Sequence, residues 1–367
     1  MPTLRIPTPA DFDLPRDCCS YGYFLLAPNH WVVKDRALVR PLRLSSGVVG
    51  VRLTQPGGTG TPLRADLTRT LDAGGRRELL AQVTRMLRLD EDEHTIRAFH
   101  DLDPRWRASG RGRLFRSPTL FEDVVKTVTS CNVTWPGTVQ MNRRLCEVLG
   151  EVLDDPGASG TDARAVARTF PEARRLARAR VQTLRARCRV GYRDARLVEL
   201  ARLFTTPRAK GGVDPAWFED PRTPDDALHA ALLALPGVGP YAAANIFQLL
   251  GRYNRLPLDT ESVRHGRTVL GFGGTPAQVM RRVQAHFAPF GAQAFRSYWF
   301  EMWETYEARH GKAWTWERDS TGKLFTAAHL NATNPPKADE KSGDARGSAR
   351  GSSRRPAART KKETGRA

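Results

Sequence analysis

The sequence predicts an α+β N-terminal domain built on an antiparallel sheet, followed by an all-helical core and a disordered basic tail. Three features predict it. Short alternating apolar stretches are broken by glycine-rich turns before residue 70, helical apolar spacing dominates from residue 104, and apolar periodicity is lost after residue 333. The expected divisions are 1–103, 104–333 and 334–367.

The strands are expected at Ala37 to Leu44, Val48 to Gln55 and Leu63 to Thr70, separated by the SSG and QPGGTGTP turn clusters. Arg76 to Leu87 switches to helical spacing, with Leu79, Leu80, Val83, Met86 and Leu87 on one face. Ser117-Pro118 then reads as a helix start, and Leu120, Phe121, Val124, Val125 and Val128 form the stripe behind it. A helix is expected over Trp135 to Leu149. Others are expected near Ala163 to Thr169, Arg193 to Phe204, Asp225 to Ala234, Tyr241 to Leu250, Thr260 to Val269, Pro276 to His286 and Phe295 to Arg309.

The net charge of +19, from 58 Lys and Arg against 39 Asp and Glu, favours a polyanionic partner. Residues 337–367 hold ten basic and four acidic side chains, so +13 remains on the rest. The tail is expected to attach loosely to phosphates. The five cysteines, Cys18, Cys19, Cys131, Cys146 and Cys188, have no CxxC spacing, which argues against a zinc site or a disulfide framework. No apolar run approaches the roughly 20 residues of a membrane span. The start of the chain has no apolar signal region, and a cytoplasmic, nucleoid-associated bacterial protein is expected.

The most informative stretch runs from Asp225 to Arg267. Two helices flank Leu235-Pro236-Gly237-Val238-Gly239, whose glycines permit a tight hairpin with unpaired backbone N–H groups at the start of the second helix. Such a turn grips a phosphate without reading sequence. Twenty residues after Gly239, Leu256-Pro257-Leu258-Asp259 sets one carboxylate just ahead of another helix. Asp259 is there either a helix cap, with Ser262 three residues on, or a reactive carboxylate.

The segment from Leu235 to Arg264 resembles the helix-hairpin-helix, Gly/Pro-rich loop and Asp signature of a DNA glycosylase superfamily. A β-rich domain ahead of a helical core is also the layout of 3-methyladenine DNA glycosylase II and, more distantly, of the 8-oxoguanine glycosylases. The resemblance implies a monomer that acts on double-stranded DNA carrying a damaged base. Asp259 would be its catalytic carboxylate, stabilising the positive charge that builds on the sugar as the N-glycosidic bond breaks. Bifunctional members carry a Lys two residues after the second hairpin glycine; here that residue is Tyr241, so a monofunctional enzyme without lyase activity is expected. The resemblance implies alkylated purines as substrates, with oxidised purines as the alternative and a noncatalytic DNA-structure binder as the rival outside enzymes. No cofactor or metal is expected. The iron–sulfur loop of other relatives needs four clustered cysteines, and none follows Cys188. A monovalent cation at the hairpin is the one ion the resemblance allows.

The base pocket is expected from Tyr241, Asn245 and the aromatic segment FRSYWFEMWETY, in particular Tyr298, Glu301 and Trp303. In that segment Trp299, Trp303 and Tyr306 recur at helical spacing, so part of the set must be core packing. Two turns resemble the regions that plug the helix when a base is flipped: Asn132-Val133-Thr134, and Tyr192-Arg193 within Val190-Gly191-Tyr192-Arg193. Tyr192 would stack, and Arg193 would bond a base edge or a phosphate. Gly137 stands where the oxoguanine enzymes place an Arg that reads cytosine, so strict selection for an opposite cytosine is not expected.

Overall fold

The computed structural model describes residues 1–153 and 167–317, all within one compact unit. The expected basic tail lies outside the described residues. Five strands, β1 (Thr3–Ile6), β2 (His30–Val32), β3 (Ala37–Leu44), β4 (Gly47–Thr54) and β5 (Leu63–Leu67), form one antiparallel sheet in the order β1-β5-β4-β3-β2. The last three are the expected strands. The two edge strands have four and three residues and sit beside Pro2, Pro7 and Pro28, too short to display an alternation.

Ten helices of nine residues or more are described: α1 (Ala73–Leu87), α2 (Glu93–Leu102), α3 (Leu120–Ser130), α4 (Trp135–Leu149), α5 (Asp194–Thr205), α6 (Asp225–Leu233), α7 (Pro240–Leu249), α8 (Thr260–Thr268), α9 (Pro276–Phe287) and α10 (Ala294–His310). The expectation of a helix near Ala163 to Thr169 is corrected at its described end. There Arg168 bridges Val152 in a β arrangement, and Leu153 and Thr169 exchange backbone bonds with the facing segment. One apolar core joins α3, α4, α5, α6 and α7, with Val124, Leu145, Leu197, Leu228 and Phe247 fully buried.

Arginines tie the sheet region to this core. Arg88, just past α1, donates to the carbonyls of Gln248 and Leu249, each at 2.8 Å, and Arg116 donates to Leu249 at 2.9 Å. They satisfy the Leu249 carbonyl and add to the Gly251 N–H on that of Gln248, at the negative end of the α7 dipole. Arg85 of α1 pairs with the buried Asp123 of α3 at 2.7 Å. In the same way Glu122 of α3 holds Arg40 of β3 at 3.1 Å and Lys126 at 2.6 Å, and all three side chains are buried. Part of the formal positive charge is therefore spent inside the fold.

Removing one member of a buried ionic cluster leaves the others uncompensated. Glu122→Gln, which strands two cations, is expected to cost about 3–5 kcal/mol in a urea unfolding titration. A loss under 1 kcal/mol would show that water reaches the cluster.

Candidate active site

The hairpin between α6 and α7 follows from its residue types. Leu235 accepts a bond from Val238 N–H at 3.1 Å across Pro236 and Gly237, and Gly237 has φ +82°. Pro followed by a left-handed glycine is the pattern of a type II turn. Leu235 and Val238 sink into the core while Gly239 stays exposed, and a Cβ on Gly239 would meet nothing within 4 Å. The N–H groups of Gly237 and Gly239 have no backbone partner among the described residues. They open onto a groove of about 960 Å³, at the N-terminus of α7.

Asp259 caps α8. Its Oδ1 accepts from Glu261 N–H at 2.9 Å, Ser262 N–H at 3.1 Å and Ser262 Oγ at 3.3 Å, while Asp259 N–H donates to Ser262 Oγ at 3.0 Å. The cap is thus the reading the structure bears out, and it leaves the second oxygen uncommitted: the capping bonds all fall on Oδ1, and the side chain is only half-buried. It lies on the wall of the hairpin groove and on that of a second cavity of about 340 Å³, within the roughly 300–1,000 Å³ span of small-molecule sites. Burial, reinforced by neighbouring Glu261, raises the Asp259 pKa above the ordinary carboxylate value, against the capping bonds.

The cavity is aromatic. Trp299 and Trp303 stack with centroids 5.3 Å apart, and Tyr21 leans on Trp299 at 4.7 Å. Tyr241 and Tyr298 also line it, and burial followed by the Asp259 carboxylate pushes both phenols well above their ordinary range, so both stay neutral donors. Tyr298 Oη lies 2.7 Å from Ser262 Oγ, linking it to Asp259 through one hydroxyl. Asn245 accepts from Tyr21 at 3.1 Å. Of the expected pocket residues, Tyr241, Asn245, Tyr298 and Trp303 meet here.

Glu301 is not on this wall, which corrects the expectation. Its Oε1 is 2.7 Å from His265 Nε2, and Arg105 holds Oε2. The reason is the pairing of α8 with α10: Ser262 meets Tyr298, and one turn further along both helices His265 meets Glu301. The carboxylate on the cavity wall is Glu261 instead. Tyr21, Gly22 and Tyr23 were also not anticipated; they reach the cavity from more than two hundred residues away. Gly22 is needed there, since a Cβ would sit 2.9 Å from the Trp135 ring. The only sequence signal for these residues was the aromatic density of YGYF.

The two expected wedge turns come together. Asn132, at φ +50°, donates to Tyr192 Oη at 3.4 Å, and both border the groove. Val133 is exposed and borders groove and cavity alike, while Thr134 borders the cavity at the start of α4. Tyr192 is 53 % exposed beneath two guanidiniums, Arg193 at 4.5 Å and Arg196 at 5.5 Å from its centroid. Arg193 departs from expectation. It borders the groove, but it is buried and its guanidinium donates to the carbonyls of Val128 at 3.1 Å, Val190 at 3.3 Å and also Cys131, so its donors cap the end of α3. Among the described residues no cluster of His, Cys, Asp and Glu is placed to hold a metal ion, and no helix is long and apolar enough to cross a membrane.

No protein-family model matches the sequence, and no curated protein is detectably similar to it. Solved structures are similar in fold. A 3-methyladenine DNA glycosylase from Archaeoglobus fulgidus aligns with TM-score 0.61 at 16 % identity over 82 % of this chain and 98 % of its own. MBOgg1, solved with a low-affinity DNA ligand, aligns with TM-score 0.60 at 19 % identity over 83 % and 96 %. An 8-oxoguanine glycosylase/lyase from Clostridium acetobutylicum gives 0.52 at 16 % over 77 % and 92 %.

Because the folded pKa of Asp259 is raised, its contribution to stability is full below the unfolded value, 3.8, and is lost as pH rises through the folded pKa. Asn caps a helix as well as Asp does. Asp259→Asn is therefore expected to melt at or above the wild-type temperature at neutral pH, with the gap closing towards pH 4. A clear drop in melting temperature would contradict this. The sheet and the helical core together give the chain a fold like that of these solved glycosylases.

Proposed function

We propose that the protein is a monofunctional DNA N-glycosylase that flips a damaged base, an alkylated purine, out of duplex DNA and hydrolyses its glycosidic bond. The observation that carries this reading is the position of Asp259 on the wall shared by the phosphate-gripping groove and the aromatic cavity. A nucleotide whose backbone lies along the hairpin and whose base enters the cavity passes its sugar by this carboxylate. Breaking the C1′–N bond builds positive charge on that sugar, and a fixed anion lowers the barrier. The base departs with the bonding electron pair, water adds to C1′ and gives up a proton to solvent, and the product is an abasic site. Asp259 stabilises the cationic sugar or orients the water; both roles need the ionised form.

Flipping costs a few kcal/mol of unstacking, and the vacated gap must be filled. Val133 supports this role by being apolar, exposed and at the junction of groove and cavity, with Tyr192 beside it. The stacked indoles support an alkylated base, since an electron-poor ring gains most from aromatic faces. Tyr241, where lyases carry an amine, cannot form a Schiff base, which supports a simple hydrolase. One of the structural neighbours is named as an 8-oxoguanine glycosylase/lyase, and the Asn132–Tyr192 pair is the observation that favours an oxidised purine as the second reading.

Duplexes each carrying a single lesion provide the test. Alkylated purines are expected to be released and 8-oxoguanine to be released slowly or not at all, with Asp259→Asn losing at least about a hundredfold. Strand cleavage matching base release would overturn the monofunctional reading, and no release from any duplex would leave a DNA binder. Tyr192→Ala is expected to slow release from paired DNA far more than from a single strand, as a residue that fills the gap in a duplex should.

A further inference from the structure

The chain is strongly basic, yet no Lys, Arg or His lines the 340 Å³ cavity among the described residues, and its two charged wall residues are both carboxylates, Asp259 and Glu261. Asp259 stands at the border with the groove, whereas Glu261 belongs to the cavity alone. Glu261 is held firmly. Its Oε2 accepts from Arg264 Nε at 2.9 Å and from Tyr306 Oη at 2.6 Å. Both bonds fall on one oxygen. Arg264 is buried off the cavity wall, its guanidinium packed 5.4 Å from the Tyr306 ring centroid. The ion pair is thus a fixed dipole with its negative end on the cavity side and its positive end behind.

We infer that Glu261 is a specificity-determining residue, whose carboxylate makes this cavity prefer a base bearing a formal positive charge over a neutral base of the same size. The inference rests on the reading that the cavity receives a nucleobase. Low local polarity strengthens the attraction, because aromatic walls leave few dipoles to screen it. The rings add to it through their faces, which also attract cations. A bland role is available, in which Glu261 only braces α8 against α10 through Arg264 and Tyr306. The two roles differ in what they do to charge discrimination: a brace affects cationic and neutral guests equally, and a selector does not.

Equilibrium dialysis of nucleosides separates them without requiring turnover. The probes are 7-methylguanosine at mildly acidic pH, where it is a cation, and guanosine as its neutral counterpart. Wild type is expected to bind the cation roughly tenfold more tightly, and Glu261→Gln, which keeps acceptors for Arg264 and Tyr306, to reduce that ratio to about twofold or less. Glu261→Asp keeps the charge and is expected to retain most of the preference. Equal affinity of wild type for both probes, or a ratio unchanged in Glu261→Gln, would overturn the inference. Base release from lesion duplexes, measured in parallel, keeps the two readings apart. Cation preference without release sinks the glycosylase and spares Glu261, whereas release with an unchanged ratio sinks only the role of Glu261.

Discussion

One oxygen of Asp259 is bound by the first turn of the helix it caps, and the rest of the site is arranged around that fixture. Two backbone N–H groups and a serine hydroxyl hold Oδ1, so the carboxylate cannot rotate without uncapping α8. A capped helix end is a rigid place for a charge, and the positive end of the dipole favours an anion there. Burial acts in the opposite direction and wins, since the pKa is raised. The result is an anion that is firmly positioned and partly desolvated, the state in which a charge does more for a developing cation nearby than it would in water.

Rigidity at Asp259 depends on α7 and α10 holding still, and that depends on arginines far from the cavity. Arg88 and Arg116 close the carboxyl end of α7, whose amino end carries the hairpin. Arg193 closes α3 beside the turn that presents Asn132 and Val133. On the other side, Trp299 of α10 donates to Ser20 at 2.8 Å, which pins the segment supplying Tyr21 and Tyr23 against the aromatic helix. Guanidinium suits these tasks because its planar set of donors serves several carbonyls at once and never loses its charge. The exposed arginines between residues 174 and 196, such as Arg175, Arg187 and Arg189, carry charge that remains available outside.

Groove and cavity divide the work that a nucleotide would require. The groove offers the Gly237 and Gly239 backbone beside Asn132, Arg193 and Arg196, a lining of the kind that can hold a phosphate without reading a base. The cavity offers ring faces, neutral phenols and carboxylates. Val133 and Asp259 stand where the two meet. The separation explains how a strongly basic chain can contain a chamber with no cationic side chain on its wall among the described residues.

Periodicity and turn chemistry were enough to read most elements, because apolar spacing, Pro at a helix start and Gly in a turn act over a few residues. For that reason β3 to β5, the long helices apart from α2, the type II hairpin and the Asp259 cap were legible, as was the nearness of Tyr241 and Asn245 to that carboxylate. The edge strands were not, since three or four residues carry too little pattern. Polar side chains were the weak point. Glu301 and Arg193 each had a plausible place in the site, but their partners belong to other elements: His265 claims one and the open carbonyls of α3 claim the other. Glu261 and the Tyr21–Tyr23 segment took their place on the wall for the same reason, a helix pairing and a chain crossing that join residues up to 224 positions apart. The sequence by itself determined which local structures form and which carboxylate caps the start of α8. Only the tertiary structure decided which charged groups face the cavity, because a long side chain is equally able to satisfy a neighbouring helix or an open chamber until packing brings one of them within reach.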